Sequence, residues 1–422
     1  MKKIVEMMTV FSSVKIMQKS MTSSLDITYI NEPIKYKFDK SKSYFLYMHI
    51  PFCDEFCTFC TFHKFKYKQS TCKEYFKALR LELLKAKEEG FNFHTLYIGG
   101  GTPLIDEVEL IKTIELAKKL FDIKKVSCES TPSHIDPKVL KNFDGLIDRL
   151  SIGVQTFDDK TLKEISRYDK YGSSQVLQER ISNIIGVVPV ISLDLIFNFS
   201  TQSSQMLKKD LEIVKKLNPE QITTYPLMSS RFVNCSTLDH LKILKNSNEF
   251  HFYNIIREEL KDYSLNNAWS FSKDKTNLCD EYTVNNSEYI GLGSGAFSHI
   301  NNQLFINAYD LTQHANLISE NSNAIIAVSA EFEFKKHIQY QFLLHLFGGS
   351  VHIERFNELF SVSLQRILKV ELFMLKILNA IYVKDGKIYP TRFGEFLTVV
   401  MMREFYSGMD NLRAMLRKSI VE

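Results

Sequence analysis

A β-rich run passes directly into three closely spaced cysteines in the stretch Tyr44-Phe-Leu-Tyr-Met-His-Ile-Pro-Phe-Cys53-Asp-Glu-Phe-Cys57-Thr-Phe-Cys60. Three thiolates in so tight a loop can bind three irons of a [4Fe-4S] cluster and leave the fourth iron open. A structural zinc site needs four closed ligands, and His63 would supply the fourth. Because the loop follows a strand, where α/β proteins bind their ligands, we favour the cluster. The Cys3His zinc site is the alternative.

The sequence after this loop alternates β-rich runs with helical patterns, which is typical of a parallel α/β domain. Six strands are predicted, at Tyr44–Ile50, Thr95–Ile98, Lys125–Glu129, Asp148–Val154, Val190–Ile196 and Gln221–Tyr225. Helices are predicted between them, at Lys73–Glu89 with a stop at Gly90, from Leu110 to Phe121 and at Met206–Leu217. This order favours a partial (β/α)6 barrel, with an open doubly wound sheet as the alternative. Both folds bind ligands at the carboxyl ends of their strands.

The alternation fades after Ser230 into helical segments around one glycine-rich motif, Tyr289-Ile-Gly-Leu-Gly-Ser-Gly-Ala-Phe-Ser298. A second unit begins near Glu331 and ends with a helix, two short strands joined by an Asp-Gly turn, and another helix. The predicted elements are Leu364–Asn379, Ala380–Val383, Ile388–Tyr389 and a helix through Met402. A hairpin between helices predicts an α+β, winged-helix-like domain.

The domain organisation follows from these patterns. We predict a loosely attached N-terminal extension over residues 1–43 and a barrel over residues 44–230. A barrel-completing segment is predicted over residues 231–330, and the winged-helix-like C-terminal domain over residues 331–422.

The composition restricts the class of protein. Of the 422 residues, 45% are hydrophobic and 24% are charged, and the formal net charge is +4. This is enough apolar material for a large core, and too small a basic excess for wrapping nucleic acid or binding an anionic membrane surface. No stretch suits a membrane span or a secretory signal, so a cytoplasmic protein is expected.

The remaining cysteines lack the spacing of metal ligands. The total of seven is odd, which does not suit a disulfide framework. We expect Cys72, Cys128, Cys235 and Cys279 to be ordinary and mostly buried side chains.

The segment Leu46-Tyr-Met-His-Ile-Pro-Phe-Cys53, with the CxxxCxxC spacing that follows, resembles the opening of the radical S-adenosylmethionine (SAM) superfamily. Within that superfamily, Tyr47-x-His49-Ile-Pro-Phe52 is similar to oxygen-independent coproporphyrinogen III oxidases and related heme chaperones, the HemN/HemW type. The resemblance runs from Tyr44 to Ser298 and is weaker beyond Phe332.

The resemblance implies two cofactors. One is a [4Fe-4S] cluster on Cys53, Cys57 and Cys60, and the other is SAM, which binds the open iron. Reductive cleavage of SAM would then generate a 5'-deoxyadenosyl radical that abstracts a substrate hydrogen. A flavodoxin-type or ferredoxin-type electron donor and a tetrapyrrole substrate are implied as partners.

The resemblance also implies functional residues. A glycine run lets the main chain approach a ligand closely, and in this family the segment matching Gly99-Gly-Gly101-Thr102 meets the amino and carboxylate groups of SAM. The implied cofactor contacts are Phe59, Gly99, Gly100, Gly101, Thr102, Glu129, Gln155, Arg167, Asp194, Tyr225 and Gly293, and the implied catalytic residues are Tyr47 and His49. Asp194 lies within an apolar strand, where a charge is costly unless it is paired, so it should have a polar partner.

Three activities remain open. The oxidases carry a further cysteine where this chain has Phe62, and the glycine segment of the chaperones ends in Ala-His where this chain has Ala296-Phe297. The leading hypothesis is an enzyme of anaerobic heme or porphyrin metabolism that resembles coproporphyrinogen III oxidase. The alternatives are a radical SAM methyltransferase of anaerobic heme degradation and a non-catalytic heme chaperone.

The C-terminal region offers two further hypotheses. A nucleic-acid-binding winged helix would need a basic recognition helix, but residues 362–379 contain only Arg366, Lys369 and Lys376, so no nucleic acid is expected. The tail around Met401–Gly408 and Asn411–Arg413 mixes apolar and basic groups. It could cover a tetrapyrrole carboxylate or form an amphipathic capping helix.

Overall fold

Parallel strands form the centre of the fold in the computed structural model, which describes residues 26–228, 248–274 and 288–418 together with Ser12 and Lys15. The strands, numbered in chain order, are β1 (Ile27–Tyr29), β2 (Tyr44–Ile50), β3 (Phe52–Cys53), β4 (Phe65–Lys66), β5 (Phe93–Gly100), β6 (Lys125–Ser130), β7 (Arg149–Gln155), β8 (Val190–Phe197), β9 (Gln221–Pro226), β10 (Ser264–Asn267), β11 (Ser270–Ser272), β12 (Tyr289–Leu292), β13 (Phe297–Ile300), β14 (Gln303–Asn307), β15 (Ile325–Ser329), β16 (Val351–His352), β17 (Ile381–Lys384) and β18 (Lys387–Pro390).

Helices cover the strands and build the C-terminal region. They are α1 (Gln69–Glu89), α2 (Glu107–Leu120), α3 (Pro137–Lys141), α4 (Asp159–Glu164), α5 (Tyr168–Tyr171), α6 (Ser174–Ser182), α7 (Ser204–Leu217), α8 (Glu249–Glu259), α9 (Leu311–Glu320), α10 (Phe334–Phe347), α11 (Ile353–Phe360), α12 (Leu364–Ile367), α13 (Lys369–Ile377) and α14 (Arg392–Lys418), with a 3-10 turn at Pro103–Ile105. Among the described residues, no helix is both long enough and apolar enough to cross a membrane.

The six predicted strands are confirmed as β2 and β5 to β9, with ends that differ by no more than two residues. They pair in parallel and in chain order, β2-β5-β6-β7-β8-β9. A doubly wound sheet would reverse direction at a switch point, so this order identifies the partial α/β barrel. Six of the seven residues of β2 are buried, as expected when both faces of a parallel sheet are covered.

The sequence predicts mainly helices after Ser230, and this prediction is wrong for much of the segment that the structure describes. Strand β12 pairs in parallel with β2, and β13, β14 and β15 continue the same sheet in antiparallel fashion. At the other edge, β11 and β10 follow β9. These strands are short and rich in Asn, Ser and Gly, so their hydrophobic alternation is too brief to predict a sheet.

The prediction that the N-terminal extension is loosely attached is also wrong for the part that the structure describes. Strand β1 pairs antiparallel with β15. Tyr36 is 9% exposed, and its hydroxyl lies 3.2 Å from Ser298 Oγ. A buried aromatic ring explains the attachment, because burial of an aromatic side chain is strongly favourable.

Helix α1 confirms the pattern prediction for this segment. The buried face carries Cys72, Phe76, Leu79 and Leu83, each fully buried. The helix ends where Gly90 adopts a left-handed conformation with φ of 98°, which a residue with a Cβ rarely adopts. Cys72 and Cys128 are buried as expected, whereas Cys235 and Cys279 lie outside the described residues.

The C-terminal region contains a small antiparallel sheet in the order β16-β18-β17. Asp385 and Gly386 both have positive φ in the turn between β17 and β18, as a tight hairpin requires. The predicted helix over 364–379 is interrupted at Leu368, and the last helix continues through Lys418 rather than ending at Met402. The winged-helix interpretation stays a prediction.

Helix α7 anchors the loop that follows β7. Asp210 is 2% exposed, and its carboxylate accepts hydrogen bonds of 2.8 Å from Thr156 Oγ1 and from the Phe157 main-chain N–H. Burial raises the pKa of Asp210 from 3.8 to about 7. Since Gln155 directly precedes this loop, the buried carboxyl group helps to position a residue of the predicted site.

The raised pKa predicts a pH-dependent stability. Between pH 4 and 7 the folded state keeps a proton on Asp210 that the unfolded state has released, so stability falls as the pH rises, by no more than about 4 kcal/mol. Asp210→Asn removes this contribution, and its melting temperature should therefore fall less than that of the wild type between pH 4.5 and 7.5. Asp144→Asn, at an exposed site, should behave as the wild type does. Identical pH profiles for Asp210→Asn and the wild type would contradict the prediction.

Candidate functional site

A cavity of about 340 Å³ opens at the carboxyl ends of the parallel strands. Most residues predicted for the site line it, and they come from different strands that the parallel pairing brings to one edge. These residues are Tyr47, Cys53, Cys57, Phe59, Cys60, Gly100, Gly101, Thr102, Glu129, Gln155, Arg167, Asp194 and Tyr225. Among the described residues, the predicted site residues His49, Gly99 and Gly293 are not part of the cavity wall.

The three cysteines of the loop after β2 are free thiols at the cavity wall. Burial raises the pKa of the Cys53 thiol to about 11. The Thr102 hydroxyl lies 3.7 Å from the Cys53 Sγ, and its hydrogen bond acts to lower this pKa. Arg167 Nη1 donates to Cys57 Sγ at 3.3 Å. Hydrogen-bond donors and cations favour the thiolate, which is the form that binds iron.

Two lysines hold the main chain of this loop. Lys64 Nζ donates to the Cys60 carbonyl oxygen, and Lys170 Nζ donates to the Glu55 carbonyl oxygen, both at 2.7 Å. The positive charges near the three sulfurs suit a ligand set that carries negative charge when it is deprotonated.

His63 does not complete a tetrahedral site with the cysteines. Its side chain is 1% exposed, and its Nε2 lies 2.8 Å from Ser294 Oγ. Over residues 26–228, 248–274 and 288–418, no three His, Cys, Asp or Glu side chains are close enough together to bind a single metal ion. A [4Fe-4S] cluster distributes its cysteine ligands over separate irons and does not require such a grouping.

The glycine run at the end of β5 packs against the main chain that leads into the cysteine loop. The Gly101 N–H donates to the Ile50 carbonyl oxygen at 2.8 Å, and the Thr102 N–H donates to the Phe52 carbonyl oxygen at 2.7 Å. A Cβ on Gly101 would lie 2.4 Å from that Phe52 oxygen, so no larger residue fits. The glycines are therefore required for contact between two chain segments, whether or not a ligand is bound.

Glu129 is a half-buried carboxyl group beneath the glycine run. Its Oε1 accepts from the Tyr97 hydroxyl at 2.9 Å, and its Oε2 accepts from the Gly100 N–H at 3.1 Å. Burial raises the pKa of Glu129, whereas these two hydrogen bonds and the charge of Arg149 act in the opposite direction. This side chain can offer the cavity a negative charge or a proton.

The expected polar partner of Asp194 is confirmed. Ser151 Oγ lies 2.9 and 2.8 Å from the two oxygens of the Asp194 carboxylate. Ser151 also accepts a 3.2 Å hydrogen bond from Arg149, a residue that is 2% exposed. A buried arginine thus compensates the carboxylates of Asp194 and Glu129 inside the barrel. Arg149 was missed as part of the site, although its charge within a predicted strand is the same signal that marked Asp194.

Gln155 occupies a strained position at the end of β7. Its φ is 76°, and the pairing between β7 and β8 shifts register at this point. Gly153 leaves room for the Gln155 side chain, because a Cβ there would lie 2.7 Å from its Nε2. Arg167 donates to the Gly153 carbonyl oxygen, and its guanidinium lies 4.3 Å from the centre of the Tyr171 ring.

Tyr47 and His49 form a hydrogen-bonded pair of which only Tyr47 reaches the cavity. The Tyr47 hydroxyl lies 2.8 Å from His49 Nδ1, and His49 Nε2 lies 3.0 Å from the His63 carbonyl oxygen. A carbonyl can only accept, so His49 carries its proton on Nε2 and accepts the Tyr47 proton at Nδ1. Burial lowers the pKa of His49 to about 4, which keeps the ring neutral near pH 7.

Gly293 lies behind this pair rather than at the cavity wall. Its φ is 98°, and a Cβ on it would lie 2.4 Å from the Tyr75 hydroxyl and 2.8 Å from the His49 carbonyl oxygen. Gly99 likewise packs on the Glu129 side chain, because a Cβ on Gly99 would lie 3.0 Å from the Glu129 carboxyl group. Both glycines permit packing behind the site.

Helices α10 and α14 of the C-terminal region supply part of the cavity wall. Phe405, Tyr406 and Arg413 belong to the mixed tail that the sequence analysis gives as a cover for a tetrapyrrole carboxylate. Sequence reasoning missed Tyr340, Leu344, Met409 and Asp410, which also line the cavity. Only the folded chain shows that α14 returns to the barrel.

The residues present fit a cluster and a small zwitterionic ligand such as SAM. Three free thiols line the cavity, one of them accepts a hydrogen bond from Arg167, and Glu129 and Asp194 lie on the same cavity. Within the part of the chain that the structure describes, the buried Nε of Arg167 has no hydrogen-bond partner, although its guanidinium group lies at the cavity wall. Carboxylates can meet an amino group, and a guanidinium can meet a carboxylate.

Comparison with known proteins identifies the relatives of this chain. Residues 47–224 match the radical SAM superfamily. The heme chaperone HemW of Bacillus subtilis (strain 168) is 26% identical over 366 residues, which cover 83% of this chain and 96% of that protein. HemW of Buchnera aphidicola subsp. Schizaphis graminum is 30% identical over 277 residues, covering 60% of this chain and 70% of that protein.

A solved structure gives the same result for the fold. Coproporphyrinogen III oxidase (HemN) from Escherichia coli superposes with a TM-score of 0.68 at 20% identity, and the match covers 86% of this chain and 90% of that chain. The chain therefore belongs to the radical SAM superfamily, among the proteins related to HemN and HemW, and its cofactors are a [4Fe-4S] cluster and SAM.

Proposed function

We propose that this protein is a radical SAM enzyme of anaerobic heme or porphyrin metabolism that removes hydrogen from a tetrapyrrole in a reaction like that of coproporphyrinogen III oxidase. The observation that carries the proposal is the continuous cavity that joins the three cysteines to aromatic side chains. Tyr47, Tyr340 and Phe405 are among these, and the Tyr340 and Phe405 rings stack at 5.3 Å. Aromatic faces bind flat, conjugated ligands well.

The proposal gives each element of the site a task. Cys53, Cys57 and Cys60 hold the cluster, while Glu129 and Asp194 hold the amino side of SAM. When bound, the cluster and SAM supply a 5'-deoxyadenosyl radical as the hydrogen-abstracting group. Helix α14 closes the cavity and excludes water, which protects reactive chemistry.

The Tyr47–His49 pair supports a porphyrinogen over heme. Because the Tyr47 hydroxyl donates its proton to His49, its oxygen can act toward a ligand only as a hydrogen-bond acceptor. The pyrrole N–H groups of a porphyrinogen can donate to this oxygen. Heme has no such donors, because its pyrrole nitrogens bind iron.

A heme chaperone is the second candidate. It is favoured by the HemW relative of Bacillus subtilis, which matches over 96% of its own length. In that case the chain would bind heme in the same cavity without forming a product. A flavodoxin-type or ferredoxin-type electron donor, a cytoplasmic location and the domain boundaries given above remain parts of the proposal.

The cluster assignment predicts that iron depends on three cysteines. Anaerobic reconstitution of the wild type should give about four irons per chain, with an electron paramagnetic resonance signal that changes when SAM is added. A triple Cys53, Cys57, Cys60→Ala variant should hold no cluster. The matched control is the Cys72→Ala, Cys128→Ala double variant, which should reconstitute normally. A cluster in the triple variant, or zinc retained in place of iron, would contradict the assignment.

The SAM assignment predicts that Glu129→Ala and Asp194→Ala each lower 5'-deoxyadenosine release by at least about tenfold. Each removes a charged contact, which is worth about 1.5–3 kcal/mol. The assay uses the reconstituted protein with dithionite, and iron content is measured in parallel. Asp148→Ala, with the same residue type at the opposite end of the barrel, should remain active. Full activity in the Glu129→Ala, Asp194→Ala double variant would refute these roles.

One experiment separates the candidate reactions. The reconstituted protein is incubated anaerobically with SAM and reductant, first with coproporphyrinogen III and then with heme, and the products are identified by mass spectrometry. We expect loss of carbon dioxide from coproporphyrinogen III. A methylated linear product from heme would identify a heme-degrading methyltransferase, whereas tight heme binding without any product would identify a chaperone.

A further inference from the structure

Arg413 brings a cation from helix α14 to the wall of the cavity. Its side chain is 19% exposed, and its guanidinium lies 4.8 Å from the centre of the Phe297 ring. This cation–π contact holds the guanidinium near one orientation. Phe297 therefore supports the position of Arg413.

Asp410 fixes Arg413 from the same helix, one turn away. Arg413 Nη1 donates to Asp410 Oδ1 at 2.7 Å, and Asp410 is 5% exposed. The other oxygen, Oδ2, accepts from Thr61 Oγ1 at 2.5 Å. Since Thr61 directly follows Cys60, this hydrogen bond ties the arginine to the cysteine loop.

The guanidinium of Arg413 has donors to spare. A guanidinium carries five N–H donors, and in the part of the chain that the structure describes the hydrogen bonds of this group go to Asp410 alone. The other cations at the wall are already engaged with the chain. Arg167 bonds the Gly153 carbonyl oxygen and Cys57, while Lys64 and Lys170 bond carbonyl oxygens of the cysteine loop.

We propose that Arg413 is the residue that recognises a carboxylate of the substrate. The inference rests on the proposed function, because it adds an anionic side-group contact to the tetrapyrrole cavity. The planar fork of arginine matches a carboxylate in two parallel hydrogen bonds, and the low exposure of the site strengthens them. Thr61, through Asp410, then couples the position of the substrate carboxylate to the cysteine loop.

The test compares the binding of two fluorescent porphyrins to the reconstituted protein. Coproporphyrin III carries carboxylates, and its neutral tetramethyl ester does not. We expect the wild type to prefer the acid by about tenfold or more, and Arg413→Gln to lose about tenfold of that preference. Arg413→Lys keeps the charge but not the fork, so it should show an intermediate loss and serves if Arg413→Gln fails to fold.

Arg417→Gln is the matched control. Arg417 lies one turn further along α14, is exposed and is not part of the cavity wall, yet it carries the same charge. An equal loss of preference in Arg417→Gln would overturn the proposal. It would mean that the overall positive charge of this region attracts the acid, rather than direct contact with Arg413. Unchanged preference in Arg413→Gln and Arg413→Lys would overturn it as well.

Two further outcomes separate this inference from the proposed function. If neither porphyrin binds the wild type, the tetrapyrrole assignment fails, and the inference fails with it. If porphyrins bind the wild type and the Arg413 variants keep its preference for the acid, the tetrapyrrole assignment stands and only the present inference fails.

Discussion

The contact between the glycine run of β5 and the main chain from Ile50 to Phe52 positions the cysteine loop relative to the barrel. Two main-chain hydrogen bonds close it, and a Cβ at Gly101 would clash with the Phe52 carbonyl oxygen. Two more bonds, from the Phe65 N–H to the Pro51 oxygen and from the Tyr67 N–H to the Cys53 oxygen, hold the far end of the loop. Because main-chain hydrogen bonds hold both ends of the loop, and Lys64 and Lys170 hold carbonyl oxygens within it, the segment that carries the three thiols is fixed relative to the barrel.

Charged groups organise the barrel interior below this loop. Ser151 links the buried Arg149 to Asp194 by hydrogen bonds, and the charge of Arg149 also acts on Glu129. Burial of an isolated charge would be too costly, so these groups are stable only as a connected set. The same set leaves carboxyl groups at the cavity wall, which a cationic or zwitterionic ligand can use.

Helix α14 completes the site from the other side. It is joined to α8 by two ion pairs, Arg403 with Glu249 and Arg257 with Glu395, whose side chains are mostly buried. Thr61 and Asp410 then connect its last turns to the cysteine loop. The cavity is therefore bounded by the barrel and by the C-terminal helix together, and neither alone encloses it.

The sequence by itself determined the parts of this protein that depend on local pattern. The six barrel strands, helix α1 with its stop at Gly90, the cysteine loop and the need for a partner of Asp194 all follow from residues near one another in the chain. Only the tertiary structure decided the rest, because it depends on contacts between distant residues. Arg149 pairs with Gln221, Thr61 with Asp410 and Arg413 with Phe297, and the short strands β12 to β15 are stable only as parts of the sheet. The hydrophobic periodicity of a short segment cannot predict such pairings. Their stabilisation comes from burial and from hydrogen bonds that exist only after the chain has folded.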